Sequence, residues 1–187
     1  MLDYFDNYDK LITNKLTSLN LSLIEPIIYM FAFIFNPLPI VSYLVIILYS
    51  KGVFQFMKFL IPVLAGLKLV LLSKKIIGRP RPSDKFDRKY NFRSVENNGS
   101  MPSGDSFQAG LWAALLLINF GENKLLYIVP FVMFARIYYY CHFLSDTIIG
   151  SISGYFFAFY SNSLILYYWT DIVKVINFIN AYFPIIF

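Results

Sequence analysis

Residues 53–82 read VFQFMKFLIPVLAGLKLVLLSKKIIGRPRP, an apolar run that ends in a cluster of cations and prolines. The apolar part, 53–73, has about the length that a transmembrane helix needs. Four cations follow at its exit: Lys74, Lys75, Arg79 and Arg81. Arginine offers forked donors to phosphate oxygens and lysine a point charge, so the cluster predicts a site for a multivalent anion. A stop-transfer signal or a patch for lipid headgroups is the competing interpretation.

The rest of the chain has the composition of a membrane protein. Of its 187 residues, 58% are hydrophobic, 20% are aromatic and 14% are charged, whereas charged residues make up about 25% of a soluble domain. Aromatic side chains at this level suit the lining of bilayer interfaces. The composition therefore excludes a disordered chain and a solvated globule.

The residue counts also restrict cofactors and partners. One cysteine and one histidine exclude a disulfide framework, a cysteine-rich zinc site and a histidine-rich metal centre. The net charge of +5 would suggest nucleic acid in a soluble protein, but here the cations lie between apolar segments. We therefore expect no metal and no nucleic acid, and a lipid bilayer with anionic lipids as the partner.

The apolar segments predict an all-α integral membrane protein, inserted as a multi-pass bundle of about six short transmembrane helices in a single domain, 1–187. The predicted spans are 21–35, 40–50, 53–73, 107–120, 125–140 and 147–169. Breaks at 36–39, 51–52 and 121–124 carry Asn, Pro or Gly and predict tight hairpins. Several spans have fewer than about 20 residues, so they must tilt or include flanking residues.

Both ends of the chain are predicted to lie at the membrane surface. Residues 1–20 alternate apolar and polar positions at three- and four-residue steps, which is typical of an amphipathic interfacial helix. The apolar tail 170–187 is expected to be an interfacial helix, with a short seventh span as the alternative. Half of the sixteen cations lie in the loop 74–104, but cations that bind a ligand do not report topology, so charge leaves the orientation open.

Two further motifs border this loop and the later spans. Ser103 is a good N-cap for the fourth span, and the amides that follow it make an anion cradle, although an ordinary helix start explains the same residues.

Arg136, His142 and Asp146 lie near the end of the fifth span. His142 and Asp146 are four residues apart, so on a helix the carboxylate can hold one imidazole nitrogen and leave the other as a nucleophile or base. Arg136 does not share their face, which implies a turn.

Together these motifs resemble the type 2 phosphatidic acid phosphatase superfamily, which also includes vanadium haloperoxidases and glucose-6-phosphatase. The family pattern is K-x6-R-P, then P-S-G-H, then S-R-x5-H-x3-D. Nine specified positions match: Lys74, Arg81, Pro82, Pro102, Ser103, Gly104, Arg136, His142 and Asp146. Two differ, because Asp105 replaces a histidine and Ala135 a serine. The resemblance covers residues 39–160.

The resemblance implies a metal-independent and cofactor-free phosphatase that hydrolyses a membrane lipid phosphate or diphosphate through a phosphohistidine intermediate. By the same resemblance, His142 attacks phosphorus, Asp146 orients His142, and Asp105 stands where the family has its general acid. The phosphate ligands would be Lys74, Arg81 and Arg136, with the backbone amides of Ser103 and Gly104.

Asp105 leaves alternatives open. An aspartate acts as an acid only when protonated; a helix N-terminus favours the ionised form, whereas bound phosphate and burial favour the neutral form. A diphosphate, with its better leaving group, needs less help from an acid than a monoester. The alternatives are a catalytically impaired member that binds phospholipid headgroups or partner proteins, and an anion channel or transporter. The channel explains the cations but not the pairing of His142 with Asp146.

Overall fold

The computed structural model describes residues 2–83, 88, 90 and 98–182. The predicted loop cations Lys85, Lys89 and Arg93 lie outside these residues, as do the side chains of 2–5, 176 and 179–182. The described chain is all-α, as predicted, with a short 3-10 turn at Lys124–Tyr127 and these helices: α1 (Leu2–Thr17), α2 (Glu25–Phe33), α3 (Pro37–Ile77), α4 (Gly104–Phe120), α5 (Val129–Tyr138), α6 (Leu144–Tyr167) and α7 (Trp169–Tyr182).

Two of the described helices are long and apolar enough to cross a membrane. They are α3, with 41 residues and a mean hydropathy of 1.9, and α6, with 24 residues and 1.2. Helix α4 has 17 residues, α5 has 10 and α2 has 9, all below the length of about 20 that a perpendicular span requires. The count of six spans therefore stays a prediction.

The predicted spans 40–50 and 53–73 both lie in α3. Its backbone leaves helical geometry at Gly52, with φ 79° and ψ 174°, a conformation that glycine adopts without steric cost. The predicted break at 51–52 is thus found at Gly52. The segments on its two sides contact one residue of α4: the Tyr43 ring lies 5.7 Å from Trp112 and the Phe59 ring 5.2 Å.

Helices α4 and α6 cross with their backbones in close contact. A Cβ atom added at Gly150 would lie 2.6 Å from the carbonyl oxygen of Ser103, and one at Gly154 would overlap the carbonyl oxygen of Phe107. Small residues at a helix crossing allow this approach. The crossing places the N-terminus of α6 beside the N-terminus of α4, and this juxtaposition builds the site described below.

Helix α1 occupies much of the predicted interfacial segment 1–20 and packs against α5 and α6. Its polar residues Thr13 and Thr17 are buried, whereas Leu11 is 65% exposed. The apolar face of α1 therefore points away from the protein, and its placement at a membrane surface stays a prediction. The placement of α7 at a membrane surface also stays a prediction; its apolar residues Val175 and Phe178 are exposed.

Candidate active site

Four helix ends meet at one end of the bundle. Lys74 belongs to the last turn of α3, Ser103 is the N-cap of α4, Arg136 lies in the last turn of α5 and Asp146 in the first turn of α6. The contacts below involve these residues predicted for the site: Lys74, Arg81, Ser103, Asp105, Arg136, His142 and Asp146. Gly104 follows Ser103 as the first residue of α4.

A tight turn between α5 and α6 carries His142. Tyr140 has φ 56°, a left-handed conformation that is uncommon for a residue with a side chain. Cys141 N donates to the Arg136 carbonyl oxygen at 3.1 Å. The turn predicted between Arg136 and His142 is therefore present, and it lets both residues reach one site although they share no helix face. Backbone strain of this kind concentrates at functional sites.

His142 is held with one ring nitrogen fixed. Its side chain is 1% exposed, and Nδ1 lies 2.6 Å from the carbonyl oxygen of Ser100. A carbonyl oxygen only accepts hydrogen bonds, so Nδ1 carries the proton and Nε2 keeps its lone pair. Asp146 Oδ2 lies 3.8 Å from Nδ1, too far for a hydrogen bond. The Ser100 carbonyl therefore makes the direct contact with Nδ1, the carboxylate acts through space, and the orienting role of Asp146 stays a prediction.

Asp146 is fully buried and links three segments. Oδ2 accepts a hydrogen bond from Phe143 N at 2.9 Å, and Oδ1 accepts one from Arg79 at 2.7 Å. A carboxylate in the first turn of a helix commonly accepts the N-cap amide in this way. The backbone carbonyl of Asp146 accepts Ser103 N at 3.0 Å. Asp146 thus fixes the α6 N-terminus, the α4 N-cap and Arg79 relative to one another.

The start of α4 differs in one detail from the predicted anion cradle. Ser103 is fully buried, and its amide donates to Asp146 rather than pointing at a ligand. The prediction that the Ser103 amide binds phosphate is therefore wrong for this conformation. The Gly104 amide belongs to the first turn of α4, whose N–H groups have no acceptor within the helix, and it still suits an anion.

Lys74 and Arg81 converge on one asparagine. Lys74 Nζ donates to Asn98 Oδ1 at 3.3 Å, and an Arg81 terminal nitrogen donates to the same oxygen at 2.8 Å. Another Arg81 nitrogen donates to the Cys141 carbonyl oxygen at 2.7 Å, which brings Arg81 next to His142. The predicted phosphate ligands from α3 and from the following loop thus lie beside the candidate nucleophile.

Arg136 and Asp105 form an ion pair. Arg136 Nε lies 2.9 Å from Asp105 Oδ2, and the side chains are 1% and 16% exposed. The Nε–H does not point along this line, so the contact is an ion pair rather than an aligned hydrogen bond. The residue at the family's general-acid position thus contacts a predicted phosphate ligand.

The electrostatics of the site favour a neutral imidazole. Burial, together with the positive charges of Arg136, Lys74 and Arg81, lowers the pKa of His142 from 6.5 to about 4 against the opposing effect of Asp146. Above that pH, Nε2 is unprotonated. Burial and neighbouring charges commonly tune catalytic groups in this way.

The structure adds residues that the sequence did not single out. Arg79 belonged to the predicted cation cluster without a role of its own, and it contacts Asp146, Ser145, Asp6 and Asp9. Ser100 acts through its backbone carbonyl, which has no sequence signal. Asp6 and Asp9 come from α1, far from the site along the chain.

Comparison with known proteins identifies the family of the chain. The sequence model of the PAP2 superfamily matches residues 39–171, and the chain belongs to this superfamily of type 2 phosphatidic acid phosphatases. With its two long apolar helices, it is a helical membrane protein of that class. No curated protein matches the chain significantly.

Two crystal structures have a similar fold. One is the transmembrane PAP2-type phosphatidylglycerolphosphate phosphatase from Bacillus subtilis, with a TM-score of 0.72, 17% identity and coverage of 86% of each chain. The other is LpxE from Aquifex aeolicus, with a TM-score of 0.64, 20% identity, and coverage of 80% of this chain and 92% of LpxE. At these identities the likeness is one of fold.

Proposed function

We propose that this protein is a metal-independent phosphatase that hydrolyses a membrane lipid phosphate or diphosphate. The observation that carries the proposal is the state of His142. Its Nδ1 is bonded to the Ser100 carbonyl and its Nε2 has a free lone pair, beside Lys74, Arg81 and Arg136. A neutral imidazole among fixed cations suits attack on phosphorus.

The proposed reaction has two steps. In the first, His142 Nε2 forms a bond to phosphorus while the bond from phosphorus to the leaving oxygen breaks, and that oxygen keeps the electron pair. In the second, water attacks phosphorus, the bond from phosphorus to Nε2 breaks, and the proton from water passes to the solvent, which releases phosphate and the neutral imidazole. Lys74, Arg81 and Arg136 would stabilise the charge on the equatorial oxygens in both steps. The Ser100 carbonyl and Asp146 would stabilise the positive charge that the ring acquires.

A lipid substrate fits the position of the site. It lies at the ends of helices, two of which are long enough to cross a bilayer, so a headgroup at the membrane surface can reach it while the tails stay in the membrane. The similar protein from Bacillus subtilis is itself described as a phosphatidylglycerolphosphate phosphatase. Six spans would give this bundle its multi-pass topology.

Asp105 favours a diphosphate over a monoester. An ion pair with a guanidinium favours an ionised carboxylate, which cannot donate a proton. The lipid alkoxide that leaves a monoester needs a proton, whereas the lipid monophosphate that leaves a diphosphate departs as a stable anion. We therefore expect this site to hydrolyse lipid diphosphates faster than lipid monophosphates.

The same ion pair favours a second candidate function. Arg136 is a predicted phosphate ligand, and its guanidinium is already paired with the carboxylate of Asp105. A family member of this kind would bind phospholipid headgroups or partner proteins at the basic site with little or no turnover.

Phosphate release by the detergent-purified protein in EDTA separates the two candidates. The substrates are phosphatidic acid, phosphatidylglycerophosphate and an isoprenoid diphosphate. Cys141→Ala is the matched control for His142→Ala, because Cys141 is an equally buried neighbour whose Arg81 contact is through the backbone. We expect release by the unmodified protein and by Cys141→Ala, and none by His142→Ala. No release from any substrate, with headgroup binding to vesicles retained, would favour the second candidate.

A further inference from the structure

Arg79 uses its guanidinium differently from the other cations of the site. One terminal nitrogen donates to Asp146 Oδ1 and to Ser145 Oγ, each at 2.7 Å. The other donates to Asp6 Oδ1 at 2.9 Å and to Asp9 Oδ2 at 2.8 Å. These four bonds use all four terminal N–H groups of the side chain.

This pattern argues against phosphate as the ligand of Arg79. Its terminal donors face three carboxylates, which would repel a phosphate, and its guanidinium also lies 4.2 Å from the centre of the Phe143 ring. Lys74 and Arg81 instead both contact the neutral side-chain oxygen of Asn98, which an anion can replace without charge repulsion. Arg79 therefore binds carboxylates of the protein rather than a phosphate.

Arg79 fixes the orientation of Asp146. By holding Oδ1, it leaves Oδ2 to accept Phe143 N and to face the His142 ring at 3.8 Å. A carboxylate that acts through space on a charged transition state depends on its position, because displacement by about 1 Å can cost about 100-fold in rate.

Helix α1 supports this arrangement from the other side. Asp9, whose side chain is 9% exposed, accepts hydrogen bonds from Ser145 N at 3.0 Å and from Ser145 Oγ. Thr13 Oγ1 accepts Leu144 N at 3.1 Å. The polar face of α1 thus binds the first turn of α6, the turn that carries Asp146.

We propose that Arg79 is a positioning residue for Asp146, and that α1 holds Arg79 in place through Asp9 and Asp6, which makes the N-terminal helix part of the catalytic apparatus. The inference rests on the proposed phosphatase function. Arg79 neither touches the substrate nor reacts; it acts through Asp146 on His142.

The test compares Arg79→Gln and Asp9→Asn with a control that loosens α1 elsewhere. Arg88 donates to the Thr17 carbonyl at the end of α1 and to the Tyr138 hydroxyl, so Arg88→Gln is that control. For Arg79→Gln we expect kcat to fall about 10- to 100-fold, with KM and inhibition by orthovanadate unchanged. Asp9→Asn should give a smaller fall of the same kind, and Arg88→Gln should keep the kcat of the unmodified protein.

A pH profile adds a readout that a purely structural defect would not move. The charged groups that face His142 are Lys74, Arg81, Arg136 and Asp146, and those that face Arg79 are Asp6, Asp9 and Asp146. Without the Arg79 charge, Asp146 attracts a proton on His142 more strongly. The acid limb of kcat/KM should therefore move to higher pH in Arg79→Gln and stay in place in Arg88→Gln.

The outcomes separate this inference from the proposed function. An inactive unmodified protein would contradict the proposed function. An active protein whose kcat is unchanged by Arg79→Gln would contradict the positioning role alone. Loss of orthovanadate inhibition in Arg79→Gln would also contradict that role, because it would make Arg79 a phosphate ligand. A rise in kcat for Asp9→Asn would instead make α1 an inhibitory lid. If Arg79→Gln does not fold, the pair Asp6→Asn and Asp9→Asn, combined in one chain, replaces it with the same expected result.

Discussion

Arg136 Nε lies 2.9 Å from Asp105 Oδ2, so a residue predicted to bind phosphate is paired with the residue that stands in place of the family's general acid. A phosphate that reaches Arg136 must share the guanidinium with this carboxylate. The pair therefore bears on two properties at once, the affinity for phosphate and the proton supply to the leaving group.

Substitution of Asp105 tests its protonation state. If Asp105 is ionised, Asp105→Asn keeps the hydrolysis of a lipid diphosphate and lowers KM, because a repelling charge is lost. Asp105→His supplies the acid of the family pattern and should raise monoester hydrolysis by about 100-fold. Rates on a monophosphate and a diphosphate with the same tail check this. Loss of all activity in Asp105→Asn, with an optimum at acidic pH in the unmodified protein, would make Asp105 the acid.

Substitution of Arg136 tests phosphate binding. The forked guanidinium can contact a carboxylate and a phosphate together, whereas a lysine ammonium is a single point charge. We expect Arg136→Lys to weaken orthovanadate inhibition by about 10-fold, at a cost of about 1.4 kcal/mol. Lys124→Gln, at an 87% exposed position in the 3-10 turn, is the control. Equal inhibition of both variants would show that Arg136 serves only to hold Asp105.

Activity and stability at acidic pH test the environment of His142. Burial lowers the pKa of His142 to about 4, from 6.5, so the nucleophile should stay unprotonated and kcat/KM should show no His142 limb above about pH 5. The contribution of neutral His142 to the free energy of unfolding is fully present above pH 6.5. As the pH falls toward 4, the unfolded chain binds a proton that the folded chain does not, and stability falls by about 3 kcal/mol.

Unfolding of the protein and of His142→Gln in detergent at pH 7 and pH 4.5 isolates this contribution. The loss of stability on acidification should be smaller in the variant, since it has no imidazole to protonate. An equal loss in both would contradict a buried neutral histidine.

Packing between α4 and α6 gives a prediction about stability. A Cβ at Gly154 would overlap the backbone of Phe107, so Gly154→Ala should force the helices apart and cost about 3 kcal/mol. Ile152→Ala on the same helix, at a 52% exposed position, is the control and should lower thermal stability in detergent far less. Equal stability of the two variants would contradict the close backbone crossing.

The sequence predicted much of this architecture because its signals are local. The break at Gly52, the N-cap at Ser103 and the turn before His142 each depend on residues within a few positions. The number of spans could not be fixed in the same way. Helices such as α5, with 10 residues, are too short for length and hydropathy alone to show that they cross a bilayer.

The parts of the site that escaped prediction depend on long-range contacts. The Ser100 carbonyl that fixes His142 is a backbone group 42 positions away, and a backbone group leaves no mark in the residue pattern. Asp6 contacts Arg79 across 73 positions, through the polar face of a helix that the sequence predicted to be interfacial. Only the packing of α1 on α6 shows that this face points inward.

The proposed mechanism requires that His142 becomes phosphorylated during turnover. The direct measurement is a rapid quench with an isoprenoid diphosphate labelled in the terminal phosphate, followed by separation of the denatured protein in base, where phosphohistidine is stable. We expect label on the unmodified protein and on Cys141→Ala, lost on treatment with acid, and none on His142→Ala. Phosphate release by His142→Ala at the rate of the unmodified protein would contradict it.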